Sequence, residues 1–233
     1  MPLKQFFFIS ITILFIISGC TSNEIGDSKD VAQDKIYQAY AISFTEGNTN
    51  AEVFCQFRFA GKNGTTLVLN EPSQVQFDGT KIKVDSSEAS GAFYRVYQPA
   101  SGFFGKHTMS FLTTDNKKLE NSFSFDHFKL VNVPANASKK QDLNLSFETP
   151  ALTGDDFIEV NAAGDSSFSV THHVADKGNF IVIPAKELKR QKTKELSLET
   201  VLHRYIPLQQ ATAEGGRMTL RYTLQTVKIK LKD

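Results

Sequence analysis

Runs in which apolar and polar residues alternate with a period of two recur along most of this chain. Tyr40, Ile42 and Phe44 share one parity against Ala39, Ala41 and Ser43. Val53, Cys55, Phe57 and Phe59 share another, and Leu143, Leu145 and Phe147 alternate with Asn144, Ser146 and Glu148. In a strand successive side chains point to opposite faces, so this pattern predicts half-buried β-strands. Gly, Asn, Asp and Pro separate the runs at intervals of about ten residues, the spacing of an all-β fold. Long amphipathic helical patterns are absent. Asp78-Gly79, between Val75/Phe77 and Ile82/Val84, reads as a hairpin turn, because these residues tolerate the positive φ that a tight turn needs. Pro184 followed by residues 185–188 reads as one helical turn.

Length sets the number of sandwiches. The globular stretch from residue 35 is close to 200 residues, comfortable for two domains of about 100 each. Seven or eight strand candidates precede residue 130, enough for one immunoglobulin-like sandwich. The expectation is an all-β chain of two consecutive immunoglobulin-like β-sandwich domains, residues 35–132 and 133–233. Near the C-terminus the apolar parity changes, from Met218, Leu220, Tyr222 and Leu224 to Val227, Ile229 and Leu231. That slip predicts a bulge or a strand that changes partners near Thr226.

The N-terminus has a different character. Lys4 precedes an almost unbroken apolar run over residues 6–17, about a dozen residues and short for a membrane span of about 20. Small residues and a cysteine follow. Ile17-Ser18-Gly19-Cys20 resembles the lipobox of bacterial lipoprotein signal peptides. The resemblance covers about the first 20 residues. It implies that residues 1–19 are a signal peptide, that the Cys20 thiol is diacylated, and that cleavage falls just before it. Two or more acyl chains anchor a protein stably, at roughly 0.8 kcal/mol per buried methylene. Thr21 after the cysteine favours the outer membrane of a Gram-negative bacterium, by the sorting habits of such lipoproteins. Residues 20–34 are polar apart from Ile25 and read as the lipidated cysteine and a flexible tether. Beyond the signal, the chain resembles β-sandwich envelope lipoproteins in style only.

Charge excludes some partners. The chain carries 26 Lys+Arg and 25 Asp+Glu, a formal charge of +1, which offers nucleic acid no bulk attraction. The expected partners are the membrane, through the lipid anchor, and an envelope protein or polysaccharide. No cofactor is expected.

No short motif supplies catalysis. Cys55 lies on the apolar parity of its strand, where a core position gives a thiol no activating base. His172 and His173 are neighbours and so point to opposite faces, which prevents joint chelation of a metal. Gly164-Asp165-Ser166 lacks a nucleophile elbow and reads as a turn. Asp155-Asp156 with Glu159 lacks the ligand alternation of a calcium loop. Two features are candidates for contact. One is Phe103-Phe104, a glycine-flanked aromatic pair that either forms an exposed interaction loop or folds back to cap the core. The other is the basic run Lys186, Lys189, Arg190, Lys192 and Lys194. The functional expectation is a lipid-anchored, non-enzymatic adaptor or binding module of the cell envelope. Two alternatives stay open: an envelope hydrolase with an interdomain site, and a carbohydrate-binding module using Tyr94, Tyr97 or the Phe103-Phe104 loop.

Overall fold

The computed structural model describes residues 24–176 and 178–233. The signal-peptide expectation and Cys20 lie outside them. The described residues are all-β, with one short α-helix and three single 3-10 turns. In the first half the strands are β1 (Ile25–Asp27), β2 (Ile36–Thr45), β3 (Asn50–Phe59), β4 (Thr65–Val68), β5 (Gln74–Phe77), β6 (Thr80–Lys81), β7 (Val84–Ser87), β8 (Gly91–Pro99), β9 (Gly105–Leu112) and β10 (Lys118–Phe125). There follow β11 (Lys129–Val131), β12 (Asn136–Ser138), β13 (Leu143–Glu148), β14 (Phe157–Ala163), β15 (Ser167–His173), β16 (Phe180–Ile183), α1 (Ala185–Arg190), β17 (Glu195–Ile206), β18 (Gly216–Thr223) and β19 (Val227–Lys232).

One large sheet runs β1-β4-β3-β2-β18-β17-β14-β15, with β8 and β7 joined to β3, and β19 and β12 joined to β17. Two small sheets face it, β10-β9-β5-β6 and β11-β13-β16. Each small sheet closes a two-layer core, the arrangement of immunoglobulin-like sandwiches. In the first core Phe57 of β3 meets Phe111 of β9 with ring centroids 4.5 Å apart. In the second, Leu145, Ile181 and Ile183 pack with Val160, Leu196, Leu198, Ile229 and Leu231.

The two sandwiches share the large sheet. β18 pairs in parallel with β2, matching Met218 to Tyr40, Leu220 to Ile42 and Tyr222 to Phe44. Leu202, Met218, Leu220, Tyr222 and Leu224 consequently bury their side chains in the first core. The sequence division at 132/133 falls between β11 and β12, yet the chain beyond it returns to complete the first sandwich.

Several local expectations hold. Asp78 and Gly79 both have positive φ, +46° and +78°, and join β5 to β6, whereas Val84, expected in the same hairpin, pairs with β8 in the large sheet. At the parity slip the chain changes partners, since β18 lies between β17 and β2 whereas β19 lies between β17 and β12. Gly91, at φ +68°, opens β8 where a Cβ would sit 2.2 Å from the Thr66 hydroxyl. One expectation needs correction: residues 24–34 are not a flexible tether. β1 pairs in parallel with β4, Ser28 is fully buried, and the Asn70 side-chain amide donates to the Asp27 carboxylate at 2.9 Å. The Gln33 amide donates to the Ser28 and Val31 carbonyls. These polar side chains find main-chain and side-chain partners, which offsets the ordering cost that their low hydrophobicity cannot cover.

Candidate interaction surface

The Phe103-Phe104 pair caps the core and does not form an exposed tip. Phe103 is 2% exposed. Its ring stacks on Phe77 and His107, and its carbonyl meets His107 Nε2. The other ring nitrogen, Nδ1, lies 2.7 Å from the Asp78 carboxylate. Asp78 sits in the β5–β6 turn, so His107 ties that turn to the aromatic loop. Phe104 is half-buried against Phe44, Phe125, Tyr222 and His127. Gly105, at φ +121°, turns the chain after the pair, and the apolar rings gain by leaving water.

The basic run is compensated in part, by Glu187. Arg190 pairs with Glu187 at 2.9 Å, and Lys186 lies 3.9 Å from the same carboxylate. Lys189, Lys192 and Lys194 are exposed. Asp165 sits beneath the run and accepts the Thr193 and Lys192 N–H groups. Those bonds, Thr193 foremost, hold its carboxyl below the usual range. The Gly164-Asp165-Ser166 triplet is therefore a turn that anchors the segment after α1.

Cys55 is fully buried, and burial pushes its thiol far above the usual range. His172 is buried against the Phe147 ring and His173 is exposed. Asp156 is buried rather than part of a surface acidic cluster. It meets Arg204 Nε at 3.3 Å and accepts the Tyr205 N–H at 2.7 Å. Among the described residues, no three His, Cys, Asp or Glu side chains are placed to hold a metal ion.

Where the two sandwiches meet, a cleft of about 610 Å³ is lined by Glu46, His127, Phe128, Lys129, Glu148, Thr149, Pro150 and Tyr222. Its acids are engaged: Glu148 pairs with Lys129 at 2.7 Å, and Glu46 accepts the Gln225 N–H at 3.0 Å. The Tyr222 hydroxyl is shifted up, first by burial and then by the Glu46 charge.

The outer face of the large sheet is the surface that alternation made and that no motif marked. Cross-strand pairing places Phe157 between His173 and His203, His203 beside Arg221, and Arg221 beside Ser43. The next level places Tyr205 beside Thr219, Thr219 beside Ala41, and Ala41 beside Phe54. Two aromatic clusters thus flank a floor of small side chains. In one, Phe157 stacks on His203 with centroids 4.4 Å apart and planes at 13°, and Tyr205 lies beside them. In the other, the Arg95 guanidinium lies over Phe93 and Phe54, and its Nε meets Glu52 at 2.7 Å. Tyr97, 56% exposed, borders it, whereas Tyr94 is buried. Between the clusters stand Arg217 and Arg221, both exposed, with no ion pair among the described residues. His203 is held low by burial and by the Arg221 cation, against the opposing pull of Glu159.

No protein-family model and no curated protein matches the chain. Solved structures similar to it include DIP-gamma IG1+IG2, with 9% identity over 84% of this chain and 95% of that one, and a TM-score of 0.23. Murine CEACAM1b matches at 8% identity over 84% of this chain and 100% of that one, with a TM-score of 0.26. The Bacteroides ovatus mixed-linkage glucan utilization locus SGBP-B, in complex with a mixed-linkage heptasaccharide, matches at 11% identity over 85% and 60%, with a TM-score of 0.24. At such scores these likenesses carry no argument about role, and the all-β sandwich architecture rests on the strand pairing itself.

Proposed function

We propose that this protein is a non-enzymatic binding module of the bacterial cell envelope, lipid-anchored through Cys20, that grips an acidic protein partner with the outer face of its large sheet. The observation that carries this reading is the pair of exposed arginines, Arg217 and Arg221, set between two aromatic clusters. Arginine and tyrosine dominate the energetics of protein interfaces, and the planar guanidinium binds carboxylates in two-pronged fashion. A protein partner fits better than a stacked sugar, because Phe157 and His203 cover each other's ring faces. Sugar stacking needs those faces free. Docking of residues 24–34 supports a folded part joined to Cys20 by a short lead.

Two experiments test the reading. Cys20→Ser should release the protein from membranes; unchanged membrane retention contradicts the anchor. A photo-crosslinking side chain at Thr219 should give an adduct with an envelope protein in the host. Arg217→Glu with Arg221→Glu should abolish that adduct. Polysaccharide adducts alone, or adducts unaffected by charge reversal, contradict it.

A further inference from the structure

The large sheet ends at β15, whose one ladder partner among the described residues is β14, with β16 of the small sheet lying alongside. The direction of its main-chain groups follows from the turn beyond it. The His173 N–H donates to the Asp176 carboxylate at 2.7 Å, and the His173 carbonyl accepts the Asp176 N–H at 2.9 Å. Both His173 groups therefore point away from β14. In an antiparallel ladder this orientation repeats every second residue, so the main chains of Thr171, Ser169 and Ser167 also point outward. Among the described residues no hydrogen bond reaches those outward groups. Natural edges are usually blunted by lysine, proline, bulges or a covering loop. β15 reads Ser-Phe-Ser-Val-Thr-His-His, with neither lysine nor proline, and seven residues long. Beside it Val174 and Phe180 are 41% and 43% exposed.

We infer that β15 pairs antiparallel with β15 of a second copy, around a two-fold axis at Ser169. The three outward residues are symmetric about that point. Ser169 would pair with its own counterpart, and Ser167 with Thr171 of the other copy, so every open group meets an open group. His173, already closed by Asp176, falls outside the pairing. In the same register Phe168 of each copy lies opposite Val170 of the other. Both are half-buried against the second core, so their remaining apolar surface is covered together. A self-complementary patch closes as a dimer and does not propagate. This inference is independent of the partner-binding face, since it uses the sheet's edge.

The test uses the full-length protein in native membranes. Ser169→Cys should give a disulfide-linked dimer on mild oxidation, because directly paired Cα atoms about 5.5 Å apart lie within disulfide reach. Co-expressed Ser167→Cys and Thr171→Cys chains should crosslink to each other, and each alone should not. Ser122→Cys, on an edge already closed by side chains, should give no disulfide-linked species. Ser169→Pro should abolish the dimer, seen as a halved mass in detergent. It removes an outward N–H and the Ser169–Glu159 side-chain bond but no bond of the β14–β15 ladder, so the fold should survive, with Cys55 still unreactive to thiol reagents. A Ser169→Cys chain that crosslinks no more than Ser122→Cys, or a Ser169→Pro chain that keeps the dimer, overturns the inference.

Discussion

Along β10 the outward N–H groups of Glu120 and Ser122 donate to the side-chain carbonyls of Gln210 and Gln209, at 2.9 and 2.7 Å. The Gln209 amide returns a bond to the Ser122 carbonyl, and Asn121 exchanges two bonds with the Gln210 main chain. Along β15 the corresponding groups of Ser167, Ser169 and Thr171 have no such cover. A glutamine side chain carries the same donor and acceptor pair as a peptide group, so two consecutive glutamines can finish a ladder as a strand would. Seryl and threonyl hydroxyls on β15 lie across its faces, as Ser169 shows by donating to Glu159, and do not reach the edge. One molecule thus closes one edge internally and leaves the other to a partner.

The largest effect is expected at the closed edge. Asn121 is fully buried. Asn121→Ala leaves the Gln210 main chain unpaired and should cost about 1–3 kcal/mol in denaturant unfolding. Gln209→Ala should cost less, about 0.5–1.5 kcal/mol. It should also make β10 a second association site, visible as mass above that of a dimer. Retention of wild-type stability and mass by both variants would erase the distinction between the edges. Asp176→Ala releases His173 and lengthens the open edge of β15, at about 0.5 kcal/mol of stability. It should also free the His173 N–H, seen as faster hydrogen exchange at that amide.

The smallest effect is electrostatic. His203 is neutral when folded because burial and Arg221 lower its affinity for protons. The unfolded chain, with an ordinary histidine near 6.5, binds a proton first as pH falls. Stability should therefore rise with pH between the lowered value and about 6.5, then level off. His203→Gln should flatten that segment of the pH–stability curve. An unchanged slope would remove His203 from the account.

Much of this fold is legible as local pattern. The alternating parity identifies the strands, Asp78-Gly79 marks its hairpin, and Cys55 declares itself core by its neighbours. The parity slip at Thr226 announces a change of partners before the partners are known. Pairing at a distance is not legible. Nothing in Met218, Leu220 and Tyr222 says that they meet Tyr40, Ile42 and Phe44 in parallel, because period-two alternation fixes a face and not a neighbour. The docking of residues 24–34 is hidden for a similar reason. Its anchors are side-chain hydrogen bonds to Asn70, and polar composition alone reads as disorder. Phe103 leaves both readings open because an aromatic loop between glycines looks the same whether it points out or in. The His107 link to Asp78 decides that, and it joins residues far apart in sequence. The outer face was readable as one polar parity per strand, but its arginines and rings come together only once β2, β17 and β18 are adjacent.

Amide hydrogen exchange on the detergent-extracted protein, resolved by residue and followed over a dilution series, tests the central claim most directly. Glu120 and Ser122 should be protected at every concentration, since their partners lie within the chain. Ser169 and Thr171 should be protected at high concentration and exchange freely on dilution. Equal exchange of Ser169 and Thr171 at all concentrations would contradict pairing of the open edge with a second copy.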